Sequence, residues 1–156
     1  MIQKLISSLM LLIAVATISD SAVAQSSRAL FVDNRIDINV TQAEKNLVLY
    51  EMRDFLHGLH NINHALANQD MQALAKNARS MGPLLNRLPG PLKERLPEEF
   101  TQLAIAMNEA FENTARNAEN SNSMRQTHEN LAEVMTYCSG CHDTYRFNVV
   151  AKKLIK

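Results

Sequence analysis

The chain has 156 residues, 46% of them hydrophobic and 21% charged, the profile of an ordinary single globular domain. Basic and acidic residues number 16 each, so the balance leaves no electrostatic footprint for nucleic acid or for an acidic membrane surface. Trp is absent and aromatic residues make up only 5%, so a core must be built mainly from Leu, Ile, Val, Met and Ala.

The first 24 residues read as a cleaved export signal. Lys4 supplies a short positive start, Leu5 to Ile18 form an apolar stretch, and Ala22-Val23-Ala24 offers the small side chains a signal peptidase reads, with cleavage before Gln25. The stretch is short for a membrane anchor, which needs about 20 apolar residues to cross roughly 30 Å. The mature chain then carries no other long apolar run and is expected to work without membrane insertion, in the periplasm of a Gram-negative bacterium.

Residues 25–40 (QSSRALFVDNRIDINV) show no sustained helical pattern and read as an extended N-terminal arm, ahead of a helical domain over residues 41–156. The first helix opens at Thr41, with Glu44 placed to complete a capping box. Its apolar stripe is Val48, Met52, Phe55, Leu59, Ile62 and Leu66, alternating steps of four and three. The second helix is capped by Asp70, carries Met71, Leu74 and Ala78, and stops at Gly82-Pro83. A proline-rich connector comes next, with a short helical turn around Leu92 to Leu96. The third helix starts after Pro97, with Glu98 and Glu99 in the first turn, where the helix dipole favours negative charge. Its stripe is Phe100, Leu103, Met107, Ala110 or Phe111, and Ala115. After the polar stretch Asn117 to Ser123, the fourth helix is predicted from about Ser123 to the chain end, with Met124, Leu131, Val134 or Met135, Cys138 and Tyr145 on one side. The other methionines, Met71, Met81, Met107, Met124 and Met135, read as core filler. No run of period two suggests a strand and no repeat suggests a solenoid, so the expected class is all-α, an antiparallel four-helix bundle.

The only two cysteines lie in Cys138-Ser139-Gly140-Cys141-His142, a C-x-x-C-H pattern, the attachment signature of c-type haem. Two thiols at this spacing lie on neighbouring turns of one helix and can add to the two vinyl groups along one porphyrin edge. The adjacent histidine is then aimed at the iron. Rival readings fit less well. A disulfide here would close too small a loop to staple much. A thioredoxin-like pair would follow a strand. A zinc site needs ligands that His57, His60, His64 and His128 do not offer at ligand spacing.

Continuing as Cys141-His142-Asp143-Thr144-Tyr145-Arg146 near the end of a four-helix pattern, the chain resembles the class II c-type cytochromes, the cytochrome c-prime family. The likeness covers roughly residues 41–147 and is most specific at C-x-x-C-H-x-x-Y-R. It implies one covalent haem c on Cys138 and Cys141, with His142 as the proximal iron ligand. It further implies that Arg146 lies beside the haem and that Tyr145 packs near its proximal side. In that family the first helix runs beside the last, and its members divide by what the first helix presents to the other haem face.

Met52 is the candidate sixth ligand, since it lies on the apolar stripe about three turns in from Thr41, and a thioether suits iron in either oxidation state. Core packing is its bland alternative. His57, His60 and His64 form a separate stripe with Arg53, and His57 lies about 140° from Met52, so both cannot face the core. An arginine four residues before the distal residue is a family pattern that Arg53 and His57 fit, and with that rotation His57 would be the ligand.

The expected function is electron transfer with redox partner proteins of the periplasm, without enzymatic activity. The alternative is a five-coordinate iron binding nitric oxide or carbon monoxide, with Met52 as a pocket wall. A peroxidase would need a distal acid–base pair, and Arg53 and His57 fall off the core face. The exposed faces neither demand nor exclude a homodimer.

Overall fold

A computed structural model describes residues 32–121 and 123–151. The expected export signal and residues 25–31 of the expected arm lie outside the described residues, and the described helices and strands all belong to one compact unit that begins at Arg35.

That unit is mostly helical. Strand β1 (Ile36–Val40) precedes α1 (Gln42–Ala67), α2 (Met71–Ser80), two short helices α3 (Leu84–Arg87) and α4 (Gly90–Lys93), then α5 (Glu98–Asn120), α6 (Met124–Thr144) and strand β2 (Tyr145–Val149). The helix starts are set by side-chain caps. Thr41 accepts from the Glu44 amide at 3.2 Å while its own amide donates to Glu44 Oε2 at 2.8 Å, a complete capping box. Asp70 caps α2 through the Ala73 amide and Ser123 caps α6 through that of Gln126. The connector, expected to hold one helical turn near Leu92, contains two short helices.

The strands correct the sequence reading. The fourth helix does not run to the chain end but stops at Thr144, and Tyr145 enters an extended conformation at φ −123°, ψ 151°. β2 pairs in parallel with β1, with Ile36 opposite Tyr145 and Val40 opposite Val149. Both segments alternate apolar and polar residues, which buries one side only: Ile38 and Val40 are 3% and 0% exposed. A parallel pair needs a long crossover, and here the whole helical body supplies it. Tyr145 and Phe147 then meet Phe100 edge-on, at 5.4 Å and 6.0 Å between ring centres, fastening the sheet to the start of α5.

Packing runs in series: α1 on α2, α2 on α5, α5 on α6. The first and last long helices, expected side by side, pack on α2 and α5 instead, and it is β2 that packs on α1. Ile62, Leu74, Ala78, Phe111 and Val134 are almost fully buried where these layers meet. Thr114 and Thr127 are also buried, each donating its hydroxyl to a backbone carbonyl one turn earlier. Met71, Met81 and Met107 fill the core as expected. Met124 and Met135 do not: they are exposed, because the stripe that α6 buries is Thr127, Leu131 and Val134.

α1 is seated differently from the reading of its stripe. Its buried residues are Val48, Glu51, Phe55, Gly58, Ile62, Ala65 and Leu66. That face is centred about 40° away from the expected one, so Met52 and Leu59 fall on its edge, half-buried. Gly58 explains part of this seat. A Cβ there would lie 1.8 Å from the Met81 sulfur, so the missing side chain is what lets Met81 lie against the helix.

Candidate haem-attachment site

The site is assembled by the last two turns of α6. The buried stripe of the helix continues from Thr127, Leu131 and Val134 into Cys138 and Cys141, which are half-buried against the core and carry free thiols. Burial pushes both thiols above their ordinary value of 9.0, and the neighbouring Cys138 pushes Cys141 further in that direction. They are therefore neutral S–H groups at physiological pH, poorly suited to metal-thiolate or disulfide-exchange chemistry. His142 comes next, with an exposed side chain. At 100° per residue the two sulfurs and the imidazole lie within an arc of about 100° on one face.

Neighbouring elements hold this end of the helix. Gly140 faces α5: a Cβ there would meet Leu103 Cδ2 at 3.8 Å, an ordinary contact. Leu103 also lines an open depression of about 630 Å³ with Glu98, Glu99, Gln102 and Ala106. On the other side Arg35 donates to the His142 carbonyl at 3.3 Å. Arg146 is ion-paired with Asp37, its cross-strand neighbour, and Asn148 donates to the same carboxylate at 3.3 Å. Tyr145 is buried against Phe100, and burial raises its hydroxyl above the ordinary value. Cys138, Cys141, His142, Tyr145 and Arg146 are thus brought together by one helix end and one strand.

Met52 belongs to a different part of the molecule. It lies on a flank of α1 together with half-buried Leu59 and exposed Leu49 and Leu56, outside the face turned to α2. Arg53, His57, His60 and His64 are exposed, and the His60 and His64 rings lie 6.3 Å apart. The α1 seat therefore turns His57 to solvent. Among the described residues no three His, Cys, Asp or Glu side chains are gathered closely enough to hold an ion between them.

One charged group next to Met52 escaped the sequence reading. Glu51 is 4% exposed, and its Oε2 lies 2.9 Å from Arg87 Nε. Neither atom completes an aligned hydrogen bond, so the contact is one of charge. Arg87 also reaches Asp54 Oδ2 at 2.9 Å, donates to the Met81 carbonyl at 2.8 Å, and lies 5.0 Å over the Phe55 ring. The available signal was a glutamate set between Val48 and Phe55 on an otherwise apolar stripe.

No protein-family model, curated protein or solved structure matches the chain. The resemblance to the cytochrome c-prime family accordingly rests on the motif from Cys138 to Arg146 and on the order of the helices.

The donor set fits a covalent haem. It offers two unengaged thiols on one half-buried helical face, an adjacent imidazole free of side-chain partners among the described contacts, and an exposed apolar side chain on the same helix, Met135, that a porphyrin face could cover.

Proposed function

We propose that this chain is an exported mono-haem c-type cytochrome of the cytochrome c-prime type, a four-helix bundle of α1, α2, α5 and α6 that carries electrons in the periplasm. The observation that carries the reading is the placement of Cys138 and Cys141 as free thiols on the half-buried face of α6, with His142 next to them.

In this reading Cys138 and Cys141 hold the group through thioethers, and the His142 imidazole ligates its iron. Haem when bound supplies an iron that cycles between ferric and ferrous states. The chain does the rest. α6 holds both sulfurs and the imidazole on one rigid element, so ligand geometry need not change with oxidation state. The Phe100–Tyr145 contact and the β1–β2 pairing keep the end of that helix in place. Arg146, held by Asp37, supplies a positive charge four positions past His142. Met52, half-buried at the edge of the buried face of α1, would supply the second protein ligand to the iron. A thioether there raises the potential relative to a second histidine. The docking surface for a redox partner would be small and transient, at the exposed haem edge.

The test is the visible spectrum of the reduced, periplasmically expressed protein before and after carbon monoxide. Sharp low-spin bands unchanged by the gas are the expected result and support the His142–iron–Met52 reading. A broad high-spin spectrum that shifts with the gas replaces electron transfer by gas binding and makes Met52 a pocket wall. No covalent haem in cells competent to attach it overturns the proposal.

A further inference from the structure

The rotation of α1 is not the one its apolar residues would choose. Val48, Met52, Phe55, Leu59, Ile62 and Leu66 share a face that would put six apolar side chains inward. The observed seat is turned about 40° from it, leaving Met52 and Leu59 at the edge and drawing the Glu51 carboxylate into the interior at 4% exposure. A buried carboxylate needs a compensating charge, or the helix rolls to return it to water. Arg87 is that charge. It comes from α3, and its contacts on α1 are Glu51 (2.9 Å), Asp54 (2.9 Å) and the Phe55 ring (5.0 Å), three side chains within the turn that contains Met52. A fourth contact, to the Met81 carbonyl at 2.8 Å, anchors the same guanidinium to the end of α2, where Met81 packs on Gly58.

We infer that Arg87 and Glu51 are a positioning pair: by locking the rotation of α1 they hold Met52 at the half-buried edge of the buried face, the position from which it would ligate haem iron. The inference rests on the reading of Met52 as sixth ligand. Loss of Arg87 strands Glu51 in the interior. The helix then relieves it by rolling toward the apolar optimum, which moves Glu51 outward and carries Met52 inward, out of that position. Replacing both members by leucine removes the conflict, because an apolar side chain at position 51 belongs where Glu51 now sits.

The experiment compares three haem-loaded proteins: wild type, Arg87→Leu and Glu51→Leu/Arg87→Leu. The readouts are the far-red charge-transfer band of a ferric thioether–iron bond, carbon monoxide binding to the ferrous form, and the reduction potential. Wild type is expected to show the band. Arg87→Leu is expected to lose it and to bind carbon monoxide at least about tenfold more tightly, since the gas no longer competes with sulfur. The double variant is expected to regain the band. If Arg87→Leu does not accumulate folded, Arg87→Lys takes its place. That variant keeps a charge opposite Glu51, loses the fork to Asp54 and the Met81 carbonyl, and is expected to give a mixture of the two spectra. A wild type without the band overturns Met52 ligation, and the inference with it. A wild type with the band, matched by an unchanged spectrum in Arg87→Leu or Arg87→Lys, overturns the positioning role alone. Failure of the double variant to recover the band overturns the rotational account.

Discussion

The α2–α5 contact and the outer flanks of α1 and α6 are built from different material. Where α2 meets α5, small residues let the backbones close up: Ala75, Ala78, Ala115 and Ala118 are at most 2% exposed, and Leu74 and Phe111 at most 1%. α1 packs on α2 and α6 on α5. On their flanks Cys138, Cys141, Met52 and Leu59 are half-buried, while Leu56 is 67% and Met135 58% exposed. The closed side has the packing density of a finished core and no use for a further group. The flanks keep apolar surface that the chain itself does not cover, and on α6 Met135 shares the helix with two neutral thiols and an imidazole. Stability is concentrated in the first region, and the proposed haem chemistry belongs to the second.

The sharpest way to break that division is to remove the chemistry and ask whether the fold notices. Cys138→Ser/Cys141→Ser is expected to abolish covalent haem entirely, read as loss of haem signal on a denaturing gel, with an unchanged helical circular-dichroism spectrum before haem loading. A covalent haem signal that survives the double substitution refutes the assignment of the flank.

The complementary test cuts the closed side. Phe111 is 1% exposed and stacks on Phe55 at 6.0 Å between ring centres. Phe111→Ala is expected to cost about 3–5 kcal/mol in urea unfolding of the haem-free protein. Met135→Ala, on the flank, should fall within about 0.5 kcal/mol of wild type in the same assay. Equal costs would mean that the two sides are not distinct.

Gly58 marks the border between them, since it faces Met81 and fixes how closely α1 approaches the end of α2. Gly58→Leu is expected to destabilise by about 1–3 kcal/mol through overpacking. Combining it with Met81→Ala should return most of that loss, because the clash is with one side chain. If the double variant is simply the sum of the two single costs, Gly58 does not set the approach.

How much of this could be read from the sequence depends on the range of each determinant. Thr41 with Glu44, Asp70 and Ser123 announce their helices because a cap and its partner lie within one turn. The C-x-x-C-H spacing is local in the same way, so the pattern by itself puts the sulfurs and the imidazole on one helical face. The strands are a different matter. Ile36 to Val40 and Tyr145 to Val149 both alternate, yet each is five residues long, and their pairing spans the whole domain. The second run also continues a helical pattern with no glycine or proline to break it. The seat of α1 was illegible for the same reason. A glutamate on an apolar stripe reads as an intrusion until Arg87, from a separate short helix, makes it a buried charge pair. Met52 inherits that difficulty, since its surroundings depend on a rotation that local pattern alone assigns differently.

The smallest expected effect sharpens the comparison at the start of α1, where the capping box meets the connector. Glu44 accepts from the Thr41 amide and is paired with Arg95 at 2.7 Å. Burial alone would raise its carboxyl. The Thr41 backbone and side-chain hydrogen bonds and the Arg95 charge outweigh burial, and the group stays ionised below its ordinary value of 4.5. A carboxylate whose folded value is depressed contributes stability that is complete above the unfolded value and is lost as pH falls through the folded one. Stability should therefore hold down to about pH 5 and decline below pH 4.5, as Glu44 takes up a proton and releases both partners. Glu44→Gln keeps a hydrogen-bonding side chain at that position but has no charge to lose, so its urea midpoint should be lower at neutral pH and should fall less between about pH 5 and 3. If both proteins lose stability in parallel over that range, the acid sensitivity lies in other carboxylates.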